Sequence, residues 1–196
     1  MLILYGVRAA VRDPRASCRQ RCTVRVCSHG TQDAGVLLTA IDRRCAALGR
    51  QPDPSVFVTD FETAAIQATR AVFGDAVTTR RCFFHLTQST WRKVQSLGLA
   101  TTYRTDEDFK HLCGMLDGIA FVPLDQVKTA MSLLQSKAPE IARPLVQYFS
   151  EVYVNGTTRT TATGDRRIPP RFPPTTWNVF SATVNGEDRT NNHAEA

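Results

Sequence analysis

The first hundred residues alternate short apolar runs, typical of strands, with longer amphipathic segments, typical of helices. The strand-like runs cover residues 2–11, 23–26, 55–59 and 76–79. The helix-like segments cover residues 34–48, 62–73 and 83–97. In the first of these segments, an apolar stripe that includes Val36 and Leu48 predicts the buried face. Strands that alternate with helices at this spacing predict an α/β fold with at least some parallel pairing.

The pattern changes after residue 99, where amphipathic segments follow one another without strands between them. Residues 106–120, 124–136 and 139–154 each predict a helix, and Pro123 and Pro139 mark the breaks. Residues 156–176 are rich in Pro, Arg and Thr and predict a loop. Residues 188–196 indicate a turn into a helix that begins near His193, so we expect the chain to be truncated there.

Positive charge is concentrated near the start of the chain, which carries a net charge of +6. Residues 1–25 hold six arginines against Asp13 alone, and the rest of the chain is nearly neutral. Arginine suits bidentate contacts with phosphate, which favours a nucleic-acid partner. The alternative explanation for the many arginines is the base composition of the coding sequence. No uncharged apolar run reaches the roughly 20 residues that a membrane span needs, so no membrane partner is expected.

The six cysteines are scattered, as is usual for reduced thiols in an intracellular protein. Cys18, Cys22, Cys27 and His29 lie close together near the start of the chain. Their spacing lacks the Cys-x2-Cys pair of common zinc sites. A small zinc-dependent nucleic-acid module built on these Cys and His residues is therefore ranked third, after the two hypotheses given at the end of this subsection.

Asp60 is the best single candidate for chemistry. It directly follows an apolar strand-like run, and α/β folds build their sites where strands end. The alternative is that Asp60 is the N-cap of the following helix, a position that Asp favours.

Cys82 and His85 stand three residues apart at the start of a predicted helix, so they are expected to share a face. Two such ligands are too few for a zinc site, which takes four. A Cys–His nucleophilic pair is a second interpretation. A half-buried helix start with a hydrogen-bonded histidine is the third.

Five short motifs occur in one order along the chain. They are Val58-Thr-Asp60-Phe-Glu62-Thr-Ala-Ala65, Cys82-Phe-Phe-His85-Leu-Thr-Gln88, Trp91-Arg-Lys-Val-Gln95, Trp177-Asn-Val, and Arg189-Thr-Asn-Asn192 followed by Glu195. In identity, order and spacing they resemble the transposase domain of Mutator-like elements, over roughly residues 55–195.

The resemblance implies a ribonuclease H-like α/β core in which three carboxylates hold two divalent metals. By position, Asp60 matches the second catalytic Asp and metal ligand of the family, and Glu195 matches its catalytic Glu and metal ligand. Oxygen ligands suit Mg²⁺ or Mn²⁺. Cys82 and His85 match a family signature that we associate with structure or with handling of transposon ends near the site.

The resemblance also implies a domain order. Residues 1–98 would form a partial ribonuclease H-like core, 99–155 a helical insertion and 156–176 a loop. Residues 177–196 would return to the core and begin the catalytic-Glu helix. The implied partner is DNA at transposon ends, with a homo-oligomer and a nuclear location also expected. The residues expected to contact DNA are Arg80, Arg81, Arg92, Lys93, Arg189, Asn191 and Asn192.

The first catalytic Asp of the family has no counterpart here, because neither Asp13 nor Asp33 lies in a matching context. We therefore expect an incomplete core without its first strand, and a transposase fragment that is inactive by itself. A domesticated, non-catalytic derivative that binds DNA or protein is the alternative. Whether the chain is an enzyme stays open at this point.

Overall fold

The computed structural model describes residues 23–26, 31–49, 54, 56–59, 61, 63–162, 164–187 and 189. Contacts divide the chain into two compact units, residues 1–82 with 190–196 and residues 83–189. In its described part, the first unit carries a three-stranded sheet and the second is mainly helical with a two-stranded hairpin. The described residues are therefore of mixed α/β structure. The predicted strand at residues 2–11 and the predicted helix near His193 lie outside them.

The sheet of the first unit is parallel. Its strands are β1 (Thr23–Val26), β2 (Val56–Thr59) and β3 (Thr78–Arg81), in the spatial order β1-β2-β3. In the register, Val58 of β2 lies opposite Arg25 of β1 and Arg80 of β3. Parallel neighbours need crossover connections, and helices α1 (Thr31–Ala47) and α2 (Thr63–Phe73) lie in these connections. The predicted alternation of strands and helices with parallel pairing is confirmed for these residues.

The apolar core of the first unit lies between this sheet and its helices. Its buried members and the side chains packed on them are Leu38, Phe57, Val77, Ala68, Val72 and Phe73. The buried face of α1 passes through Leu38, whereas Val36 is 71% exposed and Leu48 is 57% exposed. The predicted stripe, which also includes Ile41 and Cys45, is therefore wrong at Val36 and Leu48, whereas Ile41 and Cys45 are half-buried. Helix α2 packs against α1, and this contact selects a different face of α1 for burial.

Strand β3 begins two residues later than its apolar run predicts. The run at residues 76–79 is centred on Val77, which is buried but precedes the strand. Pairing with β2 instead selects Thr-Thr-Arg-Arg, residues 78–81. The ladder extends one step further, because the Cys82 amide donates to the Thr59 carbonyl at 2.8 Å. Backbone pairing, more than apolar character, thus decides the bounds of this strand.

The second unit is built mainly from short helices. They are α3 (Phe83–Ser96), α4 (Ala100–Thr105), α5 (Glu107–Gly118), α6 (Val127–Lys137), α7 (Arg143–Phe149), α8 (Pro174–Trp177) and α9 (Phe180–Val184). Single turns of 3-10 helix at Ile119–Phe121, Leu124–Gln126 and Glu140–Ala142 and a π-helical turn at Ser150–Val154 join or extend them. Helix α3 groups with this unit, so the division between the two compact units falls after Cys82.

Local sequence explains the start of α5 and leaves α4 unpredicted. The Asp106 side chain accepts a hydrogen bond from the Phe109 amide at 3.0 Å, which is the N-cap interaction that Asp favours. Helix α4 is six residues long and buries no residue, so it has no apolar face for a periodicity argument to detect.

Trp177 lies at the centre of the second unit and is 1% exposed. Its indole N–H donates to the Phe172 carbonyl at 2.9 Å and to the Tyr153 carbonyl at 3.2 Å. The ring also packs edge-on against Phe149 and Tyr153. One residue therefore joins α8 to the π-helical turn and to the segment that follows the hairpin.

The hairpin occupies part of the segment for which the sequence predicts a loop, and that prediction is wrong for most of residues 156–168. Strands β4 (Thr157–Thr161) and β5 (Gly164–Ile168) pair in antiparallel register. Both strands are polar and largely exposed, so no apolar alternation marks them in the sequence. Pro169 and Pro170 then end β5, because proline lacks the N–H that a ladder needs.

Gly156 allows the chain to turn from the π-helix into β4. Its φ is +74°, and a Cβ at this position would overlap the backbone of Ile168 and Pro169. Replacing Gly156 with Ala is therefore expected to lower the free energy of unfolding by at least about 2 kcal/mol. Urea denaturation of the parent and the variant measures the difference.

Gly114 provides the matched control. It lies in α5 with open space around it, so Gly114→Ala is expected to raise stability by about 0.5–1 kcal/mol. Equal midpoints for the Gly156→Ala variant and the parent would contradict this account of the turn.

Candidate functional site

Strand β2 leads directly into the first motif. Phe57, Val58 and Thr59 are buried, and β2 is the middle strand of the parallel sheet. Asp60 is the next residue in the chain, after the carboxyl end of this strand. Asp60 itself and Glu195, the two residues that match family carboxylates, lie outside the described residues.

The carboxyl end of β3 carries two of the arginines expected to contact DNA. Arg80 is half-buried, and Arg81 is 5% exposed with its guanidinium 5.4 Å from the centre of the Phe61 ring. An arginine buried over an aromatic ring contributes cation–π and packing energy. In this structure the Arg81 side chain therefore serves the packing of the first unit.

Cys82 and His85 fall on either side of the division between the units. Cys82 is fully buried in the first unit, where its amide extends the ladder from β2. His85 lies in the first turn of α3 in the second unit, is half-buried, and packs edge-on against Phe84 with ring centres 5.6 Å apart. Cys82 precedes α3 and is not part of it.

The start of α3 is joined to a motif that lies far along the sequence. The Phe83 amide donates to the Arg189 carbonyl at 3.1 Å. The Phe121 ring packs edge-on against Phe83 at 4.8 Å between centres, and the Arg189 guanidinium lies 5.8 Å from the centre of the same ring. Phe83 of the Cys-Phe-Phe-His motif and Arg189 of the Arg-Thr-Asn-Asn motif are therefore in contact within the second unit. Asn191 and Asn192 lie outside the described residues.

Helix α3 divides its remaining motif residues between packing and solvent. Arg92 is exposed, whereas the Lys93 ammonium lies 4.8 Å from the centre of the Tyr148 ring. The Trp91 ring packs edge-on against Tyr103, with 5.0 Å between centres. Arg92 is thus the exposed residue of the Trp-Arg-Lys motif.

The Trp177-Asn-Val motif has a structural role. Trp177 is the buried centre of the second unit, and the Asn178 side chain donates to the Val122 carbonyl at 2.8 Å while accepting from the Phe180 amide at 3.1 Å. The Val179 amide donates to the Ala120 carbonyl at 2.8 Å. These contacts hold residues 177–180 against the 3-10 turn Ile119–Phe121 and the residue that follows it.

Metal-ligating side chains do not gather anywhere in the part of the chain that the structure describes, where no group of three His, Cys, Asp or Glu could hold an ion. The Cys18, Cys22, Cys27 and His29 set lies outside that part. Cys45, Cys82 and Cys113 are thiols, not disulfides.

A buried acid that the sequence does not single out lies between α3 and α5. Asp117 has a buried Oδ1 without a hydrogen-bond partner among the described residues. Burial raises the pKa of its carboxyl to about 6, and a hydrogen bond from Thr90 lowers it in part. One helical turn earlier, burial and then the Asp117 charge raise the pKa of the Cys113 thiol to about 11. Cys113 therefore stays protonated at neutral pH and is a poor nucleophile.

Asp117 makes stability depend on pH. Since its pKa is about 6 in the folded chain and 3.8 ordinarily, the folded state binds the extra proton between those values. The contribution of Asp117 to the free energy of unfolding is then fully present below about pH 4. It is lost as pH rises to about 6, which lowers the free energy of unfolding by about 2–3 kcal/mol. Asp117→Asn is expected to remove this decline and to stabilise the chain at pH 7.

Denaturant unfolding at pH 4, 5, 6 and 7 measures the effect. Asp125→Asn, which changes an exposed carboxylate of the same unit, is the control and is expected to keep the decline. An identical pH profile for the parent and the Asp117→Asn variant would show that Asp117 does not carry the effect.

No helix in the described ranges combines the length and the apolar character needed to cross a membrane. The resemblance to Mutator-like transposases rests on the five sequence motifs alone. No protein-family model, curated protein or solved structure matches this chain.

Proposed function

We propose that this chain is a segment of a Mutator-like DNA transposase with a ribonuclease H-like core, and that it binds DNA. The observation that carries the proposal is the hydrogen bond from Phe83 to Arg189. Two motifs that resemble the family become neighbours through it, and the second of them leads in sequence to Glu195. Motifs that are distant in sequence and adjacent in space are expected of one functional centre.

The position of Asp60 supports a role in chemistry over a role as a helix cap. Helix α2 begins at Thr63, three residues after Asp60 in the sequence, whereas an N-cap residue directly precedes its helix. Asp60 follows the middle strand of a parallel sheet, and open α/β sheets bind ligands beyond the carboxyl ends of their strands. We therefore assign Asp60, with Glu195, to metal binding in phosphoryl transfer.

The chemistry of this donor set fits Mg²⁺ or Mn²⁺, because both ions take carboxylate oxygens. Such ions supply activation of the attacking oxygen and stabilisation of the leaving oxygen during phosphoryl transfer. The sequence offers two of the three carboxylates that the family uses. The 196-residue chain alone is therefore proposed to bind DNA without cutting it, and to act in the nucleus as part of a multimer.

Exposed basic residues of the second unit are the proposed DNA contacts among the motif residues. Arg92 on α3 and Arg189 beyond α9 are exposed, and Asn191 and Asn192 follow Arg189 in the sequence. In the first unit, the half-buried Arg80 is proposed as a separate contact. Arg81 and Lys93 contribute less in this proposal, because Arg81 is buried and Lys93 is half-buried over the Tyr148 ring, whereas Arg189 stays exposed beside Phe121.

A non-catalytic derivative that binds DNA or a protein is the second candidate, favoured by the missing third carboxylate. It differs from the first in what Asp60 does. In the first candidate Asp60 binds metal ions, and in the second it has no ligand.

Substitution of Asp60 separates these cases. Asn caps helices as well as Asp does but removes the negative charge, so Asp60→Asn is expected to leave stability unchanged and to weaken Mn²⁺ binding at least tenfold. Titration calorimetry with Mn²⁺ measures binding, and thermal unfolding measures stability. Glu195→Gln is expected to weaken Mn²⁺ binding in the same way.

Asp108→Asn, an exposed carboxylate on α5, is the control and is expected to bind Mn²⁺ like the parent. Equal Mn²⁺ binding by the parent and the Asp60→Asn variant would refute the metal assignment and favour the non-catalytic candidate. Mn²⁺-dependent cleavage of plasmid DNA by the parent chain would overturn the proposal that the chain alone does not cut DNA.

A further inference from the structure

The β4–β5 hairpin of the second unit is a strongly basic protrusion. In the described part of the chain it forms a sheet of two strands, with no third strand beside it. Every described residue of β5 and the middle three residues of β4 are exposed. Its two strands carry three arginines, Arg159, Arg166 and Arg167, and one carboxylate, Asp165.

The register separates the charges of the hairpin onto two different faces. Arg159 lies directly opposite Arg166, and side chains directly opposite each other share a face. On the other face, Arg167 lies opposite Thr158, and the Thr160 hydroxyl donates to the Asp165 carboxylate at 2.8 Å. One face therefore carries two arginines and no acid, and the other carries one arginine and one acid.

Two like charges directly opposite each other weaken an antiparallel pair. In the described residues, neither Arg159 nor Arg166 forms an ion pair that would offset this repulsion. A polyanion placed on this face would remove the repulsion and gain two charge-assisted contacts. The charge pattern therefore indicates an anionic partner.

The hairpin is also fixed at its base, which an isolated two-stranded ribbon needs for stability. At the base, the ladder pairs Thr157 with Ile168, and Gly156 lies so close to the Ile168 carbonyl that a Cβ would overlap it. Just beyond β5, the Phe172 amide donates to the Val152 carbonyl at 3.0 Å, and its own carbonyl accepts from Trp177. An arm anchored in this way presents its arginines in a set position.

We propose that the Arg159–Arg166 face of this hairpin binds the phosphate backbone of double-stranded DNA. The inference rests on the proposed function for the choice of DNA, and it adds a contact surface outside the five motifs. A two-stranded ribbon fits the major groove, which is about 12 Å wide. The planar fork of arginine matches phosphate oxygens bidentately.

Binding of the full chain to a labelled 30-base-pair duplex, measured by fluorescence anisotropy over a series of salt concentrations, tests the proposal. Each phosphate contact contributes about 0.9 to the slope of log affinity against log salt. The double variant R159A/R166A is expected to reduce that slope by about 1.8 and to weaken binding about tenfold or more at low salt. Its thermal stability is expected to equal or exceed that of the parent, because the repulsion is removed.

Comparison of Arg166→Ala with Arg167→Ala is the matched control, since the two residues are adjacent and each loses one charge. Arg166→Ala is expected to weaken binding several-fold more than Arg167→Ala does. Equal effects of the two variants, or an unchanged slope for R159A/R166A in a chain that binds the duplex, overturn this inference alone. Failure of the parent chain to bind DNA overturns the proposed function as well.

Discussion

The second unit depends on the indole of Trp177, since it is the point where three segments meet. Its single N–H is shared between the carbonyls of Tyr153 and Phe172, and its ring fills the space beside Phe149. A buried indole needs a partner for its N–H, so the segments that supply the two carbonyls are held where the ring lies. The base of the hairpin is fixed by the same contacts. Packing at one residue therefore decides how the exposed arginines are presented.

The hydrogen bond between Phe83 and Arg189 is the second contact on which this unit depends. Residues between them include all the helices from α3 to α9, and the hydrogen bond brings the two ends of that stretch together. Phe121 fills the space beside both ends through its ring. The chain therefore enters and leaves the second unit at one place.

Helices with a strong apolar periodicity could be predicted from the sequence, whereas strands whose bounds depend on backbone pairing could not. Helices α3 and α5 follow from their apolar faces and, for α5, from the Asp106 cap. Strand β3 was misplaced because its bounds come from the register with β2. The hairpin was missed because its strands have no apolar face, and a run of Thr and Arg is typical of loops too. Asp117 gave no signal, because its burial comes from the packing of α3 on α5.

In the candidate site, too, some features could be predicted from the sequence and others are visible only in the structure. Asp60 could be singled out because a strand end is visible in the sequence, whereas the burial of Arg81 and the stacking of Lys93 are visible only in space. A motif thus does not tell which of its basic residues are exposed, since Arg92 is exposed whereas the adjacent Lys93 packs over the Tyr148 ring. Arg159 and Arg166 lie outside every motif, yet they are exposed and face each other across a ladder. Because Arg159 and Arg166 repel each other on a hairpin that is anchored at its base, we expect the compensating negative charge to come from a partner.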